Sequence, residues 1–277
     1  MKDTKIYNEL VQKLRAFFLE KGYVEVPTQS RLSILAACEN PHSIATFNYH
    51  GQVWPLPQTG QMWLEYELLK NPEWNGCFCI STSYRQEKDP IPGRHETIFP
   101  MFEFESKGGM AELIQLETEL LDYLDFDKPQ VAFYENTCEY YGTDIIEPEH
   151  EEDMCNNLST AVILRDFPQR SNPFWNMKQS QQGTYNKIDI LLFGQETIGS
   201  AERSCDIETM RNNFYTIEDG NYCKKLFELF GRERVERELE EFFTHEFFPR
   251  FGGGIGMTRL ARAYELNTQK SLTSNFL

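Results

Sequence analysis

The sequence has no apolar run of the roughly 20 residues that a transmembrane helix needs. It shows no internal repeat, no low-complexity tract and no signal-peptide pattern at its start. An apolar content of 40%, with 14% aromatic residues in the chain, is typical of a globular protein rather than a disordered one. We therefore expect a globular cytoplasmic protein that has no contact with a membrane.

The cysteines have no metal-binding pattern. Cys77 and Cys79 form a close pair with one residue between them, and no second pair completes a zinc site. Seven cysteines is an odd number, and in a long chain without a signal peptide this is typical of a reduced protein. The sequence predicts neither a disulfide framework nor a structural zinc ion.

Positive charge is scarce and dispersed. The chain has 27 Lys and Arg residues against 43 Asp and Glu residues, a net charge of −16, and no Lys/Arg cluster. Such a field repels a phosphate backbone, so a nucleic acid is an unexpected partner. A P-loop is also absent, because no Gly-Lys-Ser/Thr follows the glycines at 252–256.

A predicted β-hairpin lies at the centre of the chain. Residues 78–87 and 98–105 are rich in β-branched and aromatic residues, and the loop between them contains two prolines and a glycine. The period of two places Arg85 and Glu87 on one face of the first strand, and Phe99, Glu103 and Glu105 on one face of the second. A guanidinium, an aromatic ring and carboxylates on one surface would suit a nucleotide, although a solvated face is the simpler interpretation.

A second predicted hairpin spans 185–204 and turns near Phe193-Gly194. Asp189 and Glu196 then lie diagonally on one face, roughly 7–8 Å apart, where they could share a phosphate-bound Mg²⁺. We expect a bulge at Gly199 that turns Arg203 toward the same side.

Hydrophobic periodicity predicts the helices. They cover residues 4–21, a segment after Thr59 that carries Gln61 and Glu65 on one face, residues 110–125, and most of 208–245. Residues 172–178 are expected to turn into an aromatic strand. A glycine-rich strand near the end of the chain leads into a helix near Thr258. Residues 126–160 show no clear pattern.

Several of these segments, in this order, resemble the catalytic core of class II aminoacyl-tRNA synthetases. The resemblance is to the aspartyl/asparaginyl branch and its relative, ammonia-dependent asparagine synthetase, and it covers about residues 4–266. The segments that carry it are YVEVPT, LPQTGQMWLE, YRQE with RHETIF, FPQRSNPFWNMK, D-x6-E with GSAER, and GGGIGMTR.

The resemblance implies an α+β fold: a single class II domain over residues 1–277, with a six- to seven-stranded antiparallel sheet flanked by helices. No anticodon-binding domain is expected, and the net charge of −16 makes tRNA an unexpected partner. A homodimer with Pro27 at its interface is also implied.

The resemblance implies a role for each matching residue, with ATP as substrate and Mg²⁺ as cofactor. Arg85 and Arg259 would be the catalytic residues, binding the phosphates. The other implied roles are ATP binding by Glu87, Arg94, His95 and Phe99, metal binding by Asp189 and Glu196, and substrate binding by Gln61, Glu65 and Arg203.

The sequence also departs from the aspartyl pattern. Leu64 stands where aspartyl enzymes usually have a lysine, and Glu65 is more similar to the asparaginyl enzymes. The predicted function is ATP-dependent activation of aspartate or a close analogue as an acyl-adenylate, followed by transfer to ammonia or another small amine. Two alternatives stay open: an aspartyl/asparaginyl-type synthetase paralogue that transfers to tRNA or another carrier, and a non-catalytic paralogue that binds an amino acid or nucleotide.

Overall fold

An eight-stranded sheet, mostly antiparallel, runs through the centre of the protein in the order β1-β4-β5-β10-β9-β8-β7-β6, and β2 and β3 form a separate hairpin. The computed structural model describes residues 3–27, 32–91, 96–180 and 182–274. The strands are β1 Val24–Glu25, β2 Thr46–Tyr49, β3 Gln52–Pro55, β4 Gly76–Tyr84, β5 Ile98–Lys107, β6 Gln130–Phe133, β7 Ala161–Phe167, β8 Tyr185–Leu192, β9 Gln195–Arg203 and β10 Arg250–Gly256.

Helices flank this sheet. They are α1 Thr4–Glu20, α2 Gln61–Lys70, α3 Met110–Tyr123, α4 Tyr134–Tyr141, α5 Pro148–Asn157, α6 Ile207–Thr216, α7 Asn221–Phe230, α8 Arg232–Phe243 and α9 Met257–Ser274. Among the described residues, none of these helices is long and apolar enough to cross a membrane.

The period of two divides the sheet into an apolar face and a polar face. Phe78, Phe102 and Ile190 belong to the face that packs into one core with α1, α3 and α9. The opposite face of the same strands carries Glu103 and Asp189. Helices α1, α3 and α9 therefore cover the apolar face, whereas α2 packs over the polar residues of the other face.

The predicted fold class is confirmed, and the predicted number of strands is wrong. The main sheet has eight strands rather than six or seven. One edge strand is β1, which has only two residues and pairs in parallel with β4. The other is β6, which lies with α4 and α5 in the segment that showed no sequence pattern.

Two local predictions need correction. The bulge in the β8–β9 hairpin is at Thr197 rather than Gly199, because Leu191 pairs with Glu196 and Ile190 pairs with Ile198. The segment 172–178 does not form a strand. Its Trp175 is fully buried against helical aromatic residues instead.

Glu117 of α3 is fully buried beneath the sheet, and its carboxyl accepts a hydrogen bond from the Ser200 hydroxyl. Burial raises the pKa of Glu117 from its ordinary 4.5 to about 8. The folded state therefore favours the protonated carboxyl. Because the unfolded chain ionises at lower pH, the free energy of unfolding falls as the pH rises from about 4.5 to about 8.

We expect Glu117→Gln to leave the free energy of unfolding nearly unchanged at pH 5 and to raise it at pH 8.5 by on the order of 3 kcal/mol. Glutamine keeps the size of the side chain and its bond to Ser200 without any charge. Urea unfolding at both pH values measures this, with Asp122→Asn, an exposed residue of the same helix, as the control. An equal effect at both pH values would contradict the expectation.

Candidate active site

A cavity of about 750 Å³ opens on the polar face of the sheet. It lies where the ends of β4 and β5 meet the β9 strand and the start of α9. The lining residues are Asp3, Ile6, Arg85, Glu87, Glu96, Phe99, Met101, Gln195, Glu196, Thr197, Gly199, Gly254, Gly256, Thr258, Arg259, Ala261, Arg262 and Glu265.

Arg85 follows the last residue of β4, and its backbone N–H donates to the Thr97 carbonyl at 2.8 Å. Its guanidinium donates to Glu39 at 2.8 Å and lies 5.7 Å from the centre of the Phe99 ring. The side chain is about one quarter exposed. A cation is thus held beside an aromatic ring at the wall of the cavity, an arrangement that suits a phosphorylated aromatic ligand.

Arg259 reaches the same cavity from the first turn of α9. Its Nη1 donates to the Glu196 backbone carbonyl at 2.7 Å, which connects α9 to the β8–β9 hairpin. The predicted ATP-binding residues Arg85, Glu87, Phe99 and Arg259 therefore line one cavity, although their elements are far apart in the chain. Their roles stay predictions, and the predicted ligands Arg94 and His95 lie outside the described residues.

Asp189 and Glu196 converge on the same point in the β8–β9 hairpin. Gly199 lies opposite Asp189, and a Cβ on Gly199 would be 3.0 Å from Glu196 Oε1 and 3.5 Å from Asp189 Oδ1. The glycine thus leaves a space between two carboxylate oxygens. Asp189 Oδ2 accepts from the Lys187 ammonium at 2.5 Å.

These two carboxylates fit the predicted Mg²⁺. Asp189 Oδ1 is buried and has no hydrogen-bond partner among the described residues. Burial raises the pKa of this carboxyl to about 7, although Lys187 opposes the shift, so a cation at Oδ1 would favour the ionised form. The described part of the chain holds no group of three or more metal-ligating His, Cys, Asp or Glu residues. Two carboxylates would suffice for an ion that also binds substrate phosphates and water.

We expect Gly199→Ala to raise the Mg²⁺ concentration for half-maximal activity by about 10-fold, because the added methyl group occupies the space between the carboxylates. A Mg²⁺ titration at saturating ATP measures this. Gly256→Ala is the matched control, since its Cβ would meet nothing closer than 3.8 Å. If both variants shift the titration equally, the space at Gly199 is not a metal site.

The predicted substrate-binding residues form a second, buried cluster beside the cavity. Arg203 donates to Gln61 at 2.7 Å and to both oxygens of Glu105 at 3.2 Å. The Gln61 amide nitrogen would be 3.1 Å from a Cβ on Gly254, which lines the cavity. Gln61 and Arg203 therefore adjoin the cavity at this glycine without lining it.

Glu65 lies deeper in this cluster. Its side chain is fully buried, and its Oε2 accepts from Arg250 at 2.8 and 3.1 Å while its Oε1 accepts from Asn176 at 2.6 Å. Arg203 Nε is 3.6 Å from Oε1. Both carboxylate oxygens of Glu65 thus have protein partners, and its predicted contact with a substrate stays a prediction.

Sequence reasoning missed the acidic partners of the arginines. Glu39 pairs with Arg85, and Glu105 pairs with Arg203. The alternation in FEFE, residues 102–105, did predict that Glu105 lies on the polar face, but it gave no signal for the pairing with Arg203. Glu39 lies in a loop region with no period that would indicate its direction.

A profile of the family described as tRNA synthetases class II (D, K and N) matches residues 2–265. This chain belongs to that family. Curated relatives of this class II chain include the cytoplasmic asparagine–tRNA ligase of Debaryomyces hansenii, 24% identical over 71% of the chain. The probable cytoplasmic asparagine–tRNA ligase of Schizosaccharomyces pombe is 26% identical over 62% of the chain. The matches span 42% and 37% of these relatives, so the chain corresponds to less than half of their length.

Solved class II structures share the fold. Asparaginyl-tRNA synthetase from Pyrococcus horikoshii, complexed with asparaginyl-adenylate, aligns with a TM-score of 0.76 at 19% identity, covering 95% of this chain and 65% of that one. Aspartyl-tRNA synthetase from Entamoeba histolytica aligns with a TM-score of 0.68 at 18% identity, covering 94% and 54%. At these identities the likeness establishes the fold, and the chemistry must be argued from the residues.

Proposed function

We propose that this chain activates an amino acid with ATP, forms an aminoacyl-adenylate and releases pyrophosphate. The observation that carries the proposal is the 750 Å³ cavity, where Arg85, Phe99, Glu196 and Arg259 meet from separate elements of a class II core. The curated relatives of this chain are named as ligases, which supports the proposal. A non-catalytic paralogue would have no need to retain this combination.

The proposed chemistry requires positioning and charge neutralisation rather than a protein nucleophile. The substrate carboxylate attacks the α-phosphorus, its new P–O bond replaces the bond to pyrophosphate, and Arg85 stabilises the charge on the α-phosphate. Arg259 would bind the outer phosphates, and Phe99 would contact the base. Mg²⁺ held by Asp189 and Glu196 would supply further neutralisation of the phosphates.

The buried cluster favours asparagine over aspartate as the substrate. The Arg203 guanidinium is already paired with Glu105, and Glu65 is paired with Arg250. Leu64 adds no further cation. These four paired charges sum to zero when all are ionised, so a neutral carboxamide avoids the uncompensated charge that a buried carboxylate would bring.

The acceptor is proposed from two opposing considerations. The names of the relatives favour tRNA, or another carrier, as the acceptor. The net charge of −16 opposes a nucleic acid and favours a small amine such as ammonia, which would yield an amide, AMP and a proton. We rank transfer to tRNA or a carrier first. A homodimer and a cytoplasmic location complete the proposal.

Amino-acid-dependent ATP–pyrophosphate exchange with all twenty amino acids tests the activation step. We expect exchange with asparagine or aspartate and none in the absence of an amino acid. AMP release is then measured with tRNA, with ammonia and with hydroxylamine. Aminoacylated tRNA supports the first acceptor, amide formation supports the second, and no exchange with any amino acid would favour the non-catalytic alternative.

A further inference from the structure

A groove at the β6 end of the sheet is separate from the active-site cavity. It holds about 280 Å³ between β6, α4 and α5, and it shares no lining residue with the larger cavity. Its lining includes the apolar side chains of Val131, Phe133, Tyr140 and Leu158. The groove is thus independent of the proposed adenylation site.

Large apolar side chains are exposed around this groove. Tyr140 is 79% exposed, Leu158 57%, Val131 50% and Phe133 45%, and all four line it. Scattered apolar residues are ordinary on a protein surface, but a contiguous patch around a concave site is typical of an interaction site. The concentration of these four residues indicates a surface that another molecule covers.

The backbone at this place is also open to pairing. β6 is the last strand in the sheet order and pairs with β7 along one edge. In the ranges that the structure describes, no strand pairs with its other edge. An extended segment could add there through main-chain hydrogen bonds while its side chains enter the groove.

The acidic charge of the segment around the groove indicates the kind of partner that would bind there. Residues 129–164 contain eight Asp and Glu residues and no Lys or Arg. Two neighbouring cations are already paired, Arg165 with Asp166 and Arg170 with Glu135. This acidic rim opposes a nucleic acid, and it opposes the same face of a second copy of the chain.

We propose that the groove binds an extended protein segment that carries Lys or Arg on either side of an aromatic or aliphatic anchor. The anchor would enter the groove between Tyr140 and Leu158, and its main chain would pair with the free edge of β6. The flanking cations would meet the acidic rim. The binding would be independent of ATP and amino acid, since the two cavities share no residue.

Selection from a random dodecapeptide display library on the immobilised full chain tests this proposal. Counter-selection uses the Tyr140→Ser/Leu158→Ser double variant, whose altered side chains are exposed and so leave the core intact. We expect enriched peptides with basic residues flanking an apolar anchor. By fluorescence anisotropy, the enriched peptide should bind the double variant about 10- to 100-fold more weakly and should lose affinity between 50 and 500 mM salt.

Tyr49→Ser is the matched control, because Tyr49 is a tyrosine of 50% exposure in the β2–β3 hairpin that does not line the groove. Equal losses in the control and the double variant would overturn the proposal. So would enriched peptides without basic residues. A concentration-dependent dimer that the double variant abolishes would replace it with self-association, and sedimentation velocity of both proteins measures that outcome.

Discussion

Replacing Arg85 by alanine is expected to lower the rate of amino-acid-dependent ATP–pyrophosphate exchange by about 1000-fold. The guanidinium lies at the wall of the cavity, and its partner Glu39 is more than one third exposed and able to move away when an anion competes for the arginine. The lost interaction is one that strengthens as charge develops on the α-phosphate. The effect should therefore fall mainly on kcat rather than on the KM for ATP.

Two variants make this result specific to the site. Arg170→Ala removes the same charge from an exposed pair with Glu135, away from the cavity, and should leave exchange unchanged. Arg85→Lys keeps the charge but loses the planar fork, so an intermediate loss is expected. If Arg170→Ala lowers exchange as much as Arg85→Ala does, a change in net charge rather than a contact in the site explains the loss.

The polar face of the sheet could be predicted because strand periodicity and loop chemistry agree there. The two hairpins, the glycine-rich strand and the helix after it give strong local patterns, and each pattern predicts the direction of a side chain. Leu191 pairs with Glu196 as the turn at Phe193-Gly194 requires. The strand pattern alone could therefore indicate that Asp189 and Glu196 approach one another, whereas Arg259 was assigned to the site by the family resemblance.

The acidic partner of Arg85 and the β6 end of the sheet could not be predicted, because they belong to elements with no local pattern. Glu39 lies in a loop region, and its direction depends on Gln58, a fully buried side chain that accepts from the backbone N–H of Glu39 and of Asn40. The β6 strand is short and half exposed, and the acidic helix after it lacks an apolar stripe. Tertiary contacts rather than propensity determine these elements.

The zero net charge of the buried cluster depends on four residues that lie far apart in the chain. Arg203 is at the end of β9, Glu105 is near the end of β5, Glu65 is in α2 and Arg250 begins β10. Gly252 allows the arrangement, since a Cβ at this position would be 1.7 Å from Glu105 Oε2. A motif predicts that an arginine is present, but only the packed structure shows that its charge is already compensated.

Glu105→Gln should therefore shift the substrate preference from asparagine toward aspartate. The variant leaves the Arg203 guanidinium without its bidentate partner, and a substrate carboxylate would restore the missing negative charge. We expect the ratio of kcat/KM for aspartate to that for asparagine to rise by about 10- to 100-fold.

Glu103→Gln is the matched control for this experiment. Glu103 is equally buried on the same face of β5, but its carboxylate accepts from Thr59, Gly60 and Ser81 and has no cationic partner among the described residues. Its replacement should lower stability and leave the specificity ratio unchanged. An equal rise of the ratio in both variants would show that a general loosening of the strand, rather than the charge of Arg203, changes the preference.

The pH dependence of the wild-type protein provides an independent measurement of the same effect. Burial raises the pKa of Glu105 to about 7, against the opposing influence of Arg203. As the pH falls from 8 to 6 this carboxyl gains a proton, and Arg203 loses its compensating charge while Glu65 remains paired with Arg250. The aspartate-to-asparagine ratio should therefore rise as the pH falls, and Glu105→Gln should hold the raised ratio at both pH values. If the ratio in Glu105→Gln changes with pH as much as it does in the wild type, the titrating group is a residue other than Glu105.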